Sequence, residues 1–86
     1  MISGDLKKEM LKKFARRLRM LREERDWSQN ELAGKLGCSK SLVSFYENCK
    51  REPGFTVILK LSKIFNERPS YIMGETDIRR VKKSVR

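Results

Sequence analysis

The stretch from Ser28 to Arg51 constrains the fold of this chain more than any other part of the sequence. Ser28 is followed three residues later by Glu31, which is the capping box typical of a helix N-terminus. Gly37 then ends the helix, because glycine readily adopts the left-handed conformation that closes helices, and Ser39 offers a second N-cap. The pattern therefore predicts two short helices joined by a tight turn, which must cross at a steep angle.

Each of these two helices has one apolar face. Leu32 and Leu36 share a face of the first, and Val43 and Tyr46 share a face of the second, at the spacing of buried helix positions. The second helix leaves four side chains on its outer face: Lys40, Ser41, Ser44 and Phe45. The pattern predicts a helix-turn-helix, a motif whose second helix can enter the major groove of DNA.

Helical patterns continue on both sides of this pair. From Leu6 to about Asp26, apolar residues recur every three or four positions and predict one long first helix. A loop with proline and glycine precedes another helix, in which Phe55 belongs to the apolar set and which ends near Asn66. Pro69 fits the first position of a last short helix. We therefore predict an all-α fold of five helices, organised as a flexible leader over 1–5, one domain over 6–74 and a basic tail over 75–86.

The net charge and the composition of the chain favour some classes of function and argue against others. Its 86 residues, enough for one domain, include 21 Lys and Arg against 11 Asp and Glu, a net charge of +10. Such an excess is typical of proteins that bind nucleic acid or an anionic membrane surface. There is no histidine, the commonest general base and metal ligand, and Cys38 and Cys49 lack the spacing of a zinc site. We therefore expect no enzyme, no metal, no cofactor and two free thiols.

The basic face of the first helix leaves alternatives open. Such a face could lie on a membrane or bind a partner protein, or it could be the solvated side of a core helix. No run approaches the ~18 apolar residues of a membrane span, and the N-terminus lacks an apolar signal core. We expect a cytoplasmic protein with neither a membrane nor a small molecule as partner.

Three short sequence motifs occur in the order typical of one protein family: S-Q-x-E-L-A, then G-x-S-x-S-x-V-S-x-Y-E-N, then K-R-x-P. From about Phe14 to Gly74 the chain resembles the Cro and phage-repressor (Xre) class of helix-turn-helix regulators. The resemblance implies a compact lambda-repressor-like fold whose second and third helices form the motif. It also implies a sequence-specific regulator of transcription, a repressor, that binds a roughly palindromic double-stranded DNA operator as a homodimer. A protein-interaction module, such as a coactivator or an antitoxin, uses the same fold and remains the alternative.

The resemblance assigns roles to the matching positions. The helix around 39–47 would contact base edges through Lys40, Ser41, Ser44 and Phe45. Phosphate contacts are implied for Gln29 and Ser39 and, in the loop over 48–51, for Asn48, Lys50 and Arg51. Arg22 and Glu47 match an Arg–Glu pair that joins the first helix to the end of the recognition helix.

Two positions depart from the family pattern. Cys49 stands where the family has glycine, so a left-handed turn at that residue would be strained or differently built. Phe45 stands where a polar side chain is common, so a base contact at that position is either apolar or absent.

Overall fold

The computed structural model describes residues 3–79, with side chains from Gly4 onward. This part of the chain forms five helices and no strand: α1 (Ser3–Glu24), α2 (Gln29–Leu36), α3 (Lys40–Glu47), α4 (Phe55–Phe65) and α5 (Pro69–Ile72). The all-α fold and the order of the five helices are confirmed. Helix α1 begins three residues before the expected start at Leu6. The domain boundaries stay predictions, and residues 1–2 and 80–86 of the predicted leader and tail lie outside the described part.

One core holds the helices together. Helix α1 packs against α3 and α5, α2 against α3 and α4, and α4 against α5. The rings of Phe14 and Tyr46 meet edge to face with their centroids 5.8 Å apart, which joins α1 to α3. The side chains buried most completely are Leu18, Leu21, Leu32, Val43, Leu61, Phe65 and Ile72. Burying aliphatic and aromatic side chains of this size contributes about 1.5–3 kcal/mol each, so this cluster sets the arrangement of the helices.

Both N-caps of the helix-turn-helix are formed. Ser28 Oγ accepts a hydrogen bond of 3.0 Å from the Glu31 amide, and the Ser28 amide donates one of 2.7 Å to Glu31 Oε1, which completes the capping box. Ser39 Oγ accepts from the Leu42 amide at 3.1 Å. These bonds satisfy amides that the first turn of each helix leaves without an intrahelical partner, so α2 and α3 start at fixed residues.

All five helices end in the same backbone turn. After each helix, an amide donates to the carbonyl five residues earlier, and the residue just before that amide has a positive φ. This is the Schellman ending. The left-handed residues are Asp26, Gly37, Cys49, Asn66 and Gly74. Only two of them are glycines, so three helix ends hold a side chain in a conformation that L-residues rarely adopt.

The residues that follow α5 return across α1. Arg17 Nη1 donates to the Tyr71 carbonyl at 2.6 Å and to the Thr76 carbonyl at 2.5 Å, and its guanidinium lies 4.2 Å from the centre of the Tyr71 ring. Gly74 lies so close to α1 that a Cβ at this position would be 2.8 Å from Lys13 Cβ. The first residues of the predicted tail are therefore held against α1. Within residues 3–79, no helix has the length and apolarity needed to cross a membrane.

A candidate nucleic-acid interface

The outer face of α3 brings the predicted base-contacting residues together. Lys40, Ser41 and Phe45 are exposed and Ser44 is half-buried. With Gln29, from the first position of α2, they line one shallow depression. The depression thus joins side chains from both helices of the motif and offers an ammonium group, two hydroxyls, an amide and an aromatic ring.

A buried carboxylate fixes the orientation of α3. The side chain of Glu47 has no exposed surface. Arg22 Nε donates to Glu47 Oε2 at 2.7 Å, and Arg22 Nη2 donates to Oε1 at 2.9 Å. Gln29 Nε2 donates to Oε1 at 3.1 Å, and Arg19 Nε lies 3.7 Å from the same oxygen. The hydrogen bond to Glu47 also raises the pKa of Arg22. One carboxylate therefore ties α1, α2 and α3 together directly behind the outer face of α3.

The predicted phosphate-contacting residues at the helix starts also have structural partners. Ser39 Oγ accepts the capping bond from Leu42, which leaves its hydroxyl hydrogen available as a donor. One hydrogen of the Gln29 amide is directed to Glu47, which leaves the other hydrogen available. Both residues lie where the free amides and the positive end of a helix dipole face outward.

The loop after α3 begins with a tight turn that presents two cations. Asn48 Nδ2 donates to the Ser44 carbonyl at 2.8 Å, and the Lys50 amide donates to the Phe45 carbonyl at 2.8 Å. Cys49, with φ of 59°, keeps the left-handed turn that glycine would make without strain. Lys50 and Arg51 follow as exposed side chains. The turn is therefore built as in a glycine-containing loop, at a cost of about 1–2 kcal/mol for the left-handed cysteine.

An apolar groove that the sequence analysis did not predict lies beside the N-terminal half of α1. It encloses about 570 Å³, and its lining includes Leu6, Met10, Phe55, Leu59 and Met73. Phe55, which the sequence places in the apolar set of α4, lies outside the core, because it is 79% exposed. The i, i+4 spacing of Phe55 and Leu59, on a face offset from Ile58, is the sequence signal for a second apolar surface.

The two cysteines lie outside any metal-binding cluster in the described part of the chain. Cys38 is half-buried and Cys49 is exposed, and both are free thiols. Burial raises the pKa of the Cys38 thiol, against the smaller opposite effect of Lys60. The described residues contain no group of His, Cys, Asp and Glu side chains that could hold a metal ion.

Known proteins with similar sequences are regulators. Two of them are the HTH-type transcriptional regulator ImmR and the uncharacterized HTH-type transcriptional regulator YobD, both of Bacillus subtilis strain 168. Each is 31% identical to this chain, over 65 and 64 residues respectively. The matched segments cover 76% and 74% of this chain but 51% and 57% of the relatives. The chain thus spans about half the length of the curated relatives that it matches.

A solved structure and a family model agree with these relatives. The restriction-modification controller protein C.AhdI from Aeromonas hydrophila has a crystal structure similar to this fold, with a TM-score of 0.67 and 35% sequence identity. The similarity covers 72% of this chain and 94% of C.AhdI. A family model described as Helix-turn-helix matches residues 18–72. This chain belongs to the Cro and phage-repressor (Xre) family of helix-turn-helix transcriptional regulators.

Proposed function

We propose that this protein binds double-stranded DNA in a sequence-specific manner, with α3 in the major groove, and represses transcription from the bound operator. One observation carries the proposal: the exposed side chains of Lys40, Ser41 and Phe45 share one face of a helix anchored from behind by the buried Glu47. A rigid helix presents such groups with little ordering cost on binding. The function is binding without a catalytic step, and its site of action is the cytoplasm.

Base readout follows from the chemistry of the α3 face. Lys40 can donate to O6 and N7 of guanine, and the hydroxyls of Ser41 and Ser44 can donate or accept. Phe45, 47% exposed, can pack against the methyl group of thymine. These contacts would select the sequence, each good pair contributing roughly 1–3 kcal/mol of discrimination.

Affinity would come mainly from phosphates. In the 48–51 loop, Asn48, Lys50 and Arg51 bind phosphates of the DNA backbone on one side of α3. Gln29 and Ser39 bind it at the starts of α2 and α3, where helix N-termini favour anions. Each neutralised phosphate releases condensed counterions, so binding weakens steeply as salt rises.

We also propose that two copies bind a roughly palindromic operator as a homodimer, through the apolar groove. A two-fold interface uses the same patch on both subunits and must complement itself. The groove has an apolar lining, and its edge carries both Lys7 and Glu52, with 3.1 Å between Nζ and Oε1. In the dimer, Lys7 of each copy could pair with Glu52 of the other copy across the two-fold axis. The half-sites would then lie about 34 Å apart, one turn of DNA.

Selection of bound sequences from a random DNA pool tests the proposal. We expect a palindrome with one preferred half-site. Lys40→Ala should lose about 1–3 kcal/mol at particular base pairs, whereas the control Lys50→Ala should weaken all sequences alike and reduce the salt slope by about 1. Equal loss on operator and random DNA in Lys40→Ala would refute the assignment of α3 as the reading helix. Failure of the unmodified protein to enrich any sequence would favour the protein-interaction alternative.

A further inference from the structure

One flank of α1 carries a row of basic side chains that the helix-turn-helix motif does not include. At about 100° per residue, Lys8, Lys12 and Arg19 fall within an arc of about 40° on the helix surface. All three are exposed. We call these three residues the α1 stripe. Lys8 and Lys12 precede the segment matched by the family model, which begins at Leu18.

The α1 stripe borders the surface formed by α3 and its following loop. Its C-terminal member, Arg19, has its Nε 3.7 Å from Glu47 Oε1 at the end of α3. Cys49 Sγ donates a weak hydrogen bond of 3.8 Å to the Leu11 carbonyl, so the loop with Lys50 and Arg51 lies along the same part of α1. The C-terminal end of α3 and the loop that follows it therefore lie beside the helix that carries the stripe.

The two lysines of the α1 stripe lack the intramolecular partners that several other α1 cations have. Lys7 pairs with Glu52, and Lys13 and Arg17 both contact Asp77. In contrast, no described residue forms an ion pair or hydrogen bond with the side chain of Lys8 or Lys12. Their charges are therefore not neutralised within the described structure and are available to an anionic partner.

We propose that Lys8 and Lys12 bind backbone phosphates of DNA and so extend the interface from the 48–51 loop along α1. The proposal rests on the proposed DNA-binding function and adds a contact made outside the helix-turn-helix. Lys8 and Lys12 are four residues apart, about 6 Å along the helix axis. Because phosphates carry no sequence information, these lysines would raise affinity for every sequence equally.

The test compares two charge-matched double variants on the selected operator and on random DNA. Lys8→Gln/Lys12→Gln removes the stripe lysines. Lys13→Gln/Lys63→Gln removes the same charge from the opposite flank of α1 and from an exposed position on α4. Dissociation constants are measured between about 50 and 200 mM salt, the range over which phosphate contacts change affinity most visibly.

In the stripe variant the negative slope of log K against log salt should become shallower by about 1.8, since each phosphate contact contributes about 0.9. The loss of affinity between about 50 and 200 mM salt would then be about 12-fold smaller than for the unmodified protein. Operator and random DNA should be affected alike, and the control variant should change the slope far less. Equal changes in both variants would show an effect of net charge alone and overturn the proposal, as would an unchanged slope in the stripe variant. Failure of the unmodified protein to prefer its operator would instead refute the proposed function.

Discussion

Replacing Arg22 with methionine would leave the Glu47 carboxylate buried without its main partner. Arg22 supplies two hydrogen bonds, of 2.7 and 2.9 Å, to a side chain with no exposed surface. Removing one member of a buried ion pair costs about 3–5 kcal/mol, because the remaining charge loses its compensation. Gln29 and Arg19 stay near the carboxylate, so we expect the lower end of this range, about 3 kcal/mol.

The expected loss is large for a domain of this size. In domains of 60–100 residues, 1 kcal/mol shifts Tm by about 4–8 °C, so Arg22→Met should lower Tm by roughly 12 °C or more. Thermal and urea unfolding followed by circular dichroism measure the change. Arg16→Met is the matched control, because Arg16 is an exposed arginine on the same helix, and its effect should stay within about 0.5 kcal/mol.

A double variant separates the ion pair from simple loss of packing. In Arg22→Met/Glu47→Met the unpaired charge is gone, and apolar replacement of a buried pair is often neutral or stabilising. A residual cost of about 1 kcal/mol should remain, because Arg22 Nη1 also donates to the Trp27 carbonyl at 2.8 Å. A cost below about 1 kcal/mol for Arg22→Met alone, or a double variant as unstable as the sum of the two single ones, would refute the reasoning.

Two further predictions concern a strained turn and a titrating carboxylate. Cys49→Gly should raise the free energy of unfolding, measured in urea, by about 0.5–1 kcal/mol. Glycine relieves the strain of the left-handed conformation, but its greater conformational entropy in the unfolded chain offsets part of this gain. An unchanged urea midpoint would show that the turn is not strained. The hydrogen bonds from Arg79 lower the pKa of the Glu24 carboxyl, so this contact stabilises the fold above the ordinary pKa of glutamate and is lost as pH falls through the lowered value. Glu24→Gln should therefore cost up to about 1 kcal/mol at neutral pH and nothing in strong acid; a difference in stability that persists at low pH would contradict this.

Most helix starts and most helix ends could be predicted because local chemistry decides them. Serine at an N-cap satisfies free amides whatever surrounds it, and Gly37 and Asn66 are residue types that tolerate a left-handed conformation. Cys49 has no such tendency. Its conformation is imposed by the hydrogen bond from the Lys50 amide to the Phe45 carbonyl and by the packing of the loop against α1. Residue propensities therefore identify position 49 as unusual, but they do not predict which backbone conformation Cys49 adopts.

The exposure of Phe55 and the contacts of Arg17 could not be predicted, because both depend on how the helices are placed relative to one another. Periodicity places Phe55 on an apolar surface of α4, but it does not show that neighbouring helices leave the first turn of α4 uncovered. The contacts of Arg17 with Tyr71 and Thr76 join residues 54 and 59 positions apart in the chain. No local pattern predicts such pairs, because they form only once the core has set the directions of α1 and α5.

The contacts of Arg79 determine how a reporter can be attached to this protein. The Arg79 guanidinium donates to Glu24 at 3.0 and 3.1 Å, on a flank of α1 about 140° around the helix from Arg19, which faces the end of α3. Residue 79 therefore sits away from the face of α3. A fluorophore linked beyond that residue would leave the recognition helix accessible, whereas one placed before Ser3 would start at the end of α1 nearest both the stripe lysines and the apolar groove. Labelling on the C-terminal side is the suitable choice for measuring DNA binding and self-association on the same molecule.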